Sequence, residues 1–141
     1  MDAGVINDKL DSLMRCTARI EDWQPSSLEA LQANVDQQDI LTLNLTRGVQ
    51  LCVDIATHIT TAAGSSKPAT MGESFRQLRE LGVLDQYLSE QLQAAVGFRS
   101  VAVHSYRRIS WEIVYRVSLD STDQFREFTR QIREHLNAGQ E

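Results

Sequence analysis

The sequence predicts an all-α fold, an up-and-down bundle of helices, and three observations carry the prediction. Apolar residues recur at intervals of three and four through several long segments. Strand-like alternation is absent. The only two prolines, Pro25 and Pro68, lie in the serine-containing stretches QPSS and GSSKPAT, which read as loops between periodic segments. With 141 residues the chain is sized for one hydrophobic core, so residues 1–141 are read as a single domain.

Ile6, Leu10, Leu13, Thr17 and Ile20 follow four-three-four-three spacing, which places them on one face of a first helix running to about Trp23. After Pro25, Ser26 or Ser27 with Glu29 caps a short second helix through Leu31. From Asp36 to about Ala63, Leu41, Leu45, Val49, Cys52, Ala56 and Ile59 form a stripe, and Leu43, Leu51, Val53 and Ile55 add apolar surface on other faces. A helix apolar nearly all round is buried on several sides, so this one is expected at the centre, with Gly64 closing it. The segment GESFRQLREL gives a short helix ending at Gly82, and a longer one is expected from about Leu84 through Arg107. A final helix from Trp111 to about Leu136 carries Phe125, Phe128, Ile132 and Leu136 inward.

Composition excludes several classes. Apolar residues make up 42% and charged residues 23%, the balance of a folded globular chain. No run approaches the roughly 20 apolar residues of a membrane span. The N-terminus, MDAGVINDKL, lacks the basic region and apolar core of a signal peptide, so a cytoplasmic address is expected. Cys16 and Cys52 sit within helical apolar stripes and read as reduced, packed thiols. The net charge is −5, yet Arg99 to Arg116 holds four arginines and one acid, Glu112. Positive charge is therefore concentrated in one segment, as a polyanion-binding cleft or a solvated arginine face requires.

That segment, VGFRSVAVHSYRRI, also breaks the apolar pattern. Leu92, Val96, Arg99, Val103 and Tyr106 share a four-three-four-three spacing, so a continuous helix would put Arg99 and Tyr106 on the core-facing side. An arginine there must pair with an acid such as Asp54, lie at a subunit cleft, or meet an anionic ligand. His104 follows Arg99 by five residues, roughly 140° round a regular helix. Convergence on one phosphate then requires the arginine's reach, an irregularity near Gly97, or a second copy of the helix across a dimer interface. Two antiparallel copies would bring two arginines and two histidines into one groove.

The string Arg99-x4-His104-x-Tyr106, preceded by Gly97-Phe98 and followed by an arginine-rich turn, resembles the signature of HepT toxins of the HEPN superfamily. Composition alone would produce this spacing about 0.005 times in such a chain. NLTRGVQLCVDIATHI resembles that family's second long helix, and SFRQLRELGVLDQYLSEQL resembles the stretch before its motif; Ser100 stands where the family commonly has Asn. The resemblance implies a HEPN-type bundle, a homodimer, metal-independent endoribonuclease activity with no cofactor, and a cognate minimal nucleotidyltransferase antitoxin of the MntA kind. It also implies that this antitoxin transfers AMP to Tyr106.

Arg99 and His104 would be catalytic, and Ser100, Arg107 and Arg108 would contact RNA. An imidazole suits proton transfer near neutral pH, and a guanidinium can bind two phosphate oxygens. AMP on Tyr106 would add an anion and a bulky nucleotide to the groove. A non-catalytic helical partner of a nucleotidyltransferase would keep the motif without needing His104; a plain scaffold with a structural Arg–Asp pair would leave the spacing unexplained. His58 and His135 have no partner at metal-ligand spacing and read as structural, as do half-buried Tyr87 and Tyr115 and the helix-end anchors Trp23 and Trp111.

Overall fold

The computed structural model describes residues 2–139, and these form six α-helices with no strand among them. They are α1 (Ala3–Asp22), α2 (Leu28–Gln32), α3 (Val35–Ala62), α4 (Met71–Glu80), α5 (Gln86–His104) and α6 (Trp111–Ala138). Each starts on a side-chain cap, in order Asp2, Ser27, Asn34, Thr70, Asp85 and Ser110, whose oxygen accepts from backbone N–H groups that the helix leaves free. Gly64 (φ 85°) and Gly82 (φ 77°) end α3 and α4 in the left-handed region, where an L side chain is strained. Ser65 N–H reaches back to Thr60 O and Val83 N–H to Leu78 O, satisfying carbonyls at the two helix ends.

α3 touches every other helix, as its all-round apolar character predicts. Leu41, Leu45, Val49, Cys52, Val53, Ile55, Ala56 and Ile59 are all buried, whereas Leu43 is 47% exposed. The expected faces of α1 and α6 are buried in full, from Ile6 to Ile20 and from Phe125 to Leu136. Lys9 meets Asp54 while Gln37 donates to the Trp23 carbonyl, so α1 and α3 are antiparallel. Arg126 with Glu21 and Arg133 with Asp11 set α6 antiparallel to α1. At the start of α5, Asp85 N–H donates to Gln131 Oε1 and Gln131 Nε2 donates to Asp85 Oδ2, which pins that helix to α6. Ser89 Oγ donates to the Phe75 carbonyl and pins it to α4.

α1 and α5 therefore end, and α3 and α6 begin, at one end of the bundle. The motif lies there. Among the described residues no helix is long and apolar enough to cross a membrane. Both cysteines are free and buried, as expected. Tyr87 departs from expectation: it is 72% exposed.

One close approach fixes the centre. At Gly48 of α3 a Cβ would overlap the Phe125 ring of α6, so only glycine lets these helices meet. Gly48→Ala is expected to destabilise the fold by about 1–3 kcal/mol through overpacking, read as a lower urea midpoint with unchanged m-value.

Candidate functional site

The sequence predicts α5 through Arg107, but the helix stops at His104. Ser105 leaves helical geometry (φ −142°, ψ 48°), and Tyr106–Arg108 form a single 3-10 turn before Ser110 caps α6. The 3.6-residue period therefore ceases to apply three positions before the expected end. Tyr106 does not share an inward face with Arg99: it is 42% exposed, and Val103 is 50% exposed. The core face of α5 is Leu88, Leu92, Phe98 and Ala102, with Ala95 and Val96 partly buried beside it.

Arg99 is half-buried and directed toward α4, where Nη1 donates to Met71 Sδ at 3.5 Å. Its Nε is buried without a hydrogen-bond partner, and no ion pair is made to it among the described residues. The expected partner, Asp54, is engaged elsewhere. Lys9 Nζ lies 3.7 Å from one of its oxygens, and Gln50 Nε2 donates to the other at 2.8 Å. The Arg99–Asp54 pairing is thus replaced by an arginine with no acid, held beside the first residue of α4, where the helix dipole is positive. A cation in that setting is stabilised by an anion from outside the chain.

His104, the last residue of α5, is exposed; Ser100, Arg107 and Arg108 are exposed too. No hydrogen bond links Arg99, His104 and Tyr106 to one another. α5 is helical straight through Gly97, so no irregularity there brings Arg99 and His104 together. Instead His104 continues an exposed stripe of Ala94, Gly97 and Val101 at three-four-three spacing, small at its first two positions. A Cβ at Gly97 would meet nothing within 4 Å, so nothing inside the chain requires glycine there. An exposed mid-helix glycine costs about 1 kcal/mol relative to alanine.

The structure adds Asp39, which no sequence signal connects to the motif 67 residues away. Tyr106 O–H donates to Asp39 Oδ1 at 2.9 Å, and its ring meets Trp111 edge-on, with centroids 6.1 Å apart. Trp111 thus anchors the start of α6, as expected, and also walls the tyrosine. Although Tyr106 is 42% exposed overall, partial burial, then the Asp39 hydrogen bond and charge, push its phenol from about 10 up to about 12. The protonated phenol is the bonded form, so the contribution of this bond to stability is complete below pH 10 and is lost as pH rises through about 12. Ultraviolet titration is expected to show the Tyr106 phenolate appearing late in the native protein, with Asp39→Asn removing part of that delay and the effect of burial remaining.

Comparison with known proteins identifies the family and the fold. Residues 13–132 match the ribonuclease HepT-like family. An mRNA nuclease HepT from Shewanella oneidensis is 32% identical over 124 residues, 88% of this chain and 92% of that protein. A solved tri-AMPylated HEPN toxin in complex with MNT antitoxin, also from Shewanella oneidensis, superposes with a TM-score of 0.85 at 30% identity, covering 95% of this chain and 99% of that one. A crystal structure of a toxin–antitoxin pair with AMP-PNP gives 0.86 at 29% identity, covering 93% and 98%. YutE of Bacillus subtilis, a cytosolic protein of unknown function, gives 0.85 at 16% identity over 98% and 92%, a likeness of fold alone. With the family match spanning most of the chain, this protein belongs to the ribonuclease HepT-like family.

Proposed function

We propose that this chain is the toxin of a toxin–antitoxin pair: a metal-independent endoribonuclease that cuts RNA in a groove between two copies and is silenced when a minimal nucleotidyltransferase transfers AMP to Tyr106. The observation that carries the reading is Arg99, a half-buried arginine without an acidic partner in a family of ribonucleases. A phosphodiester supplies the missing anion, and the guanidinium gains as charge builds on the phosphoryl oxygens during cleavage.

Arg99 and His104 point apart on one helix, so a site needing both is best assembled from two helices. The Ala94–Gly97–Val101 stripe supports this, since Ala94 and Gly97 let two helices approach closely and His104 extends the same stripe. A 2'-hydroxyl then attacks phosphorus and the 5'-oxygen departs, with the two His104 imidazoles taking and giving the protons. Arg107, Arg108 and Ser100 hold flanking phosphates. We place this action in the cytoplasm, where Cys16 and Cys52 stay reduced.

Inhibition follows from the Asp39 bond. In AMP transfer the Tyr106 oxygen attacks the α-phosphorus of ATP, pyrophosphate leaves, and the phenol proton has Asp39 as its nearest acceptor. The modified tyrosine can no longer donate to Asp39. Its phosphate occupies the anion's place beside the arginines, and its nucleoside blocks the groove.

Arg99→Ala and His104→Ala are each expected to lower RNA cleavage by the unmodified protein, with about 10²- to 10⁴-fold lost at His104, while folding is retained. Unmodified wild type that leaves RNA intact would sink the reading. Intact-mass analysis after co-expression with the nucleotidyltransferase should show AMP additions that disappear in Tyr106→Phe. Gly97→Gln should leave helix content and thermal midpoint undiminished yet give a monomer by sedimentation with cleavage strongly reduced; an active monomer would refute the shared site.

A further inference from the structure

Two grooves beside α1 contain three arginines each, and only one of them is electrically open. In the groove between α1 and α6, Arg126 pairs with Glu21, Arg130 with Glu127 and Glu134, and Arg133 with Asp11. The groove between α1 and α3 encloses about 560 Å³ and is lined by Arg15, Arg19 and Arg47 over Ile40, Leu43 and Leu51. None of these three arginines meets a carboxylate among the described residues. Among the described residues Arg15 donates only to Ser12 Oγ, at 2.8 Å, Arg19 lies 5.8 Å above the Trp23 ring, and Arg47 makes no hydrogen bond or ion pair. The one acid in the lining, Asp54, stands at the far end and is already held by Lys9 and Gln50.

We propose that this groove is a second RNA-binding track, in which Arg15, Arg19 and Arg47 take successive phosphates of a single strand and Leu43 and Leu51 lie under its bases. The proposal rests on the ribonuclease reading and extends it to a surface outside the motif. Continuity with the site supports it. Asp39, Leu43, Arg47, Gln50 and Asp54 follow one another on a single stripe of α3, and Asp39 is the residue that holds Tyr106. The track therefore starts where the motif turn ends and runs from Ile40 to Asp54, about 21 Å at 1.5 Å per residue, or roughly six stacked nucleotides.

Helical side chains lean toward the N-terminus of their own helix, which sends Arg47 toward the Tyr106 end and Arg15 the opposite way. Because Lys9 faces Asp54 and Trp23 faces Gln37, Arg15 and Arg47 stand opposite one another, and the positive charge lies in the middle of the groove with Arg19 nearer the Tyr106 end. Arg47 and Arg15 line the groove together with Cys16, and both oppose the rise that burial imposes on its thiol. In a chain of net charge −5, an unneutralised arginine row favours a polyanion, and the RNA of the adjoining site is the one the geometry delivers.

The test measures binding of fluorescent oligouridylates of about 4 and about 12 nucleotides to the full chain carrying His104→Ala, which prevents cutting, across a series of salt concentrations. The longer RNA is expected to bind at least about 10-fold more tightly, with a steeper salt dependence. Adding R15Q, R19Q and R47Q should remove most of that gain and lower the slope of log K against log salt by about 2, since each phosphate contact on a single strand contributes about 0.7. Circular dichroism and the thermal midpoint check that the fold is kept. An unchanged length gain and slope in the triple variant would overturn the track while leaving the ribonuclease reading intact. So would a triple variant that binds long RNA normally but no longer co-purifies with the nucleotidyltransferase, which would make the groove a protein interface. If neither RNA binds in either protein, the ribonuclease reading fails and the track falls with it.

Discussion

Burial of α3 on every side but the stripe from Asp39 to Asp54 is the constraint from which the remaining arrangement follows. A helix with apolar residues round most of its circumference is stable only when other helices cover them, and α1, α2, α4, α5 and α6 all pack against it. The burial of Leu41, Leu45, Cys52, Ile55 and Ala56 supplies much of the hydrophobic driving force. It also fixes where each surrounding helix can lie. Gly48 tightens the constraint by admitting the Phe125 ring, which holds α6 against α3 and so positions Ser110 and Trp111 at the motif end. The same helix carries Asp39 at its start, so the residue that receives Tyr106 is set by the core.

The motif shows how a rigid frame ends in a deliberately open structure. α5 is held at its beginning by the Asp85–Gln131 hydrogen bonds and by Ser89 on Phe75, yet its last turn is exposed on the His104 side. Beyond Ser105 the chain makes one short turn and re-enters a helix. Tyr106 is tied to the bundle by the Asp39 hydrogen bond and the Trp111 edge contact, both made by its own side chain. A modification at its hydroxyl would therefore act on one of the two contacts that hold the Tyr106 side chain. The backbone itself stays bridged by Arg108 N–H to Ser105 O and Ile109 N–H to Tyr106 O.

Much of the fold was legible in the sequence because it depends on a local period. The buried faces of α1, α3 and α6 follow directly from three- and four-residue spacing, and the caps at Ser27 and the glycines at 64 and 82 follow from residue chemistry. The end of α5 was less legible, since Tyr106 fits the helical spacing and no proline or glycine announces the break at Ser105. The cost of burying charge singled out Arg99, which is half-buried with no acid beside it among the described residues; the expected partner Asp54 is instead held by Lys9 and Gln50. Asp39 could not be found from the sequence, for its link to Tyr106 exists only once α3 and the motif turn have been folded against each other.

On the proposed shared site, the exposed glycine at position 97 would tie activity to the abundance of the chain. A centre completed by a second copy of the chain forms in proportion to the square of the free-chain concentration while dimers are scarce. A twofold rise in unpartnered protein would then raise the number of competent centres about fourfold. Low, leaky expression would leave most chains single and harmless, whereas a burst of synthesis would cross into activity abruptly. The dose threshold would lie in how tightly the Ala94–Gly97–Val101 seam closes, and one residue on an exposed helix face would set it.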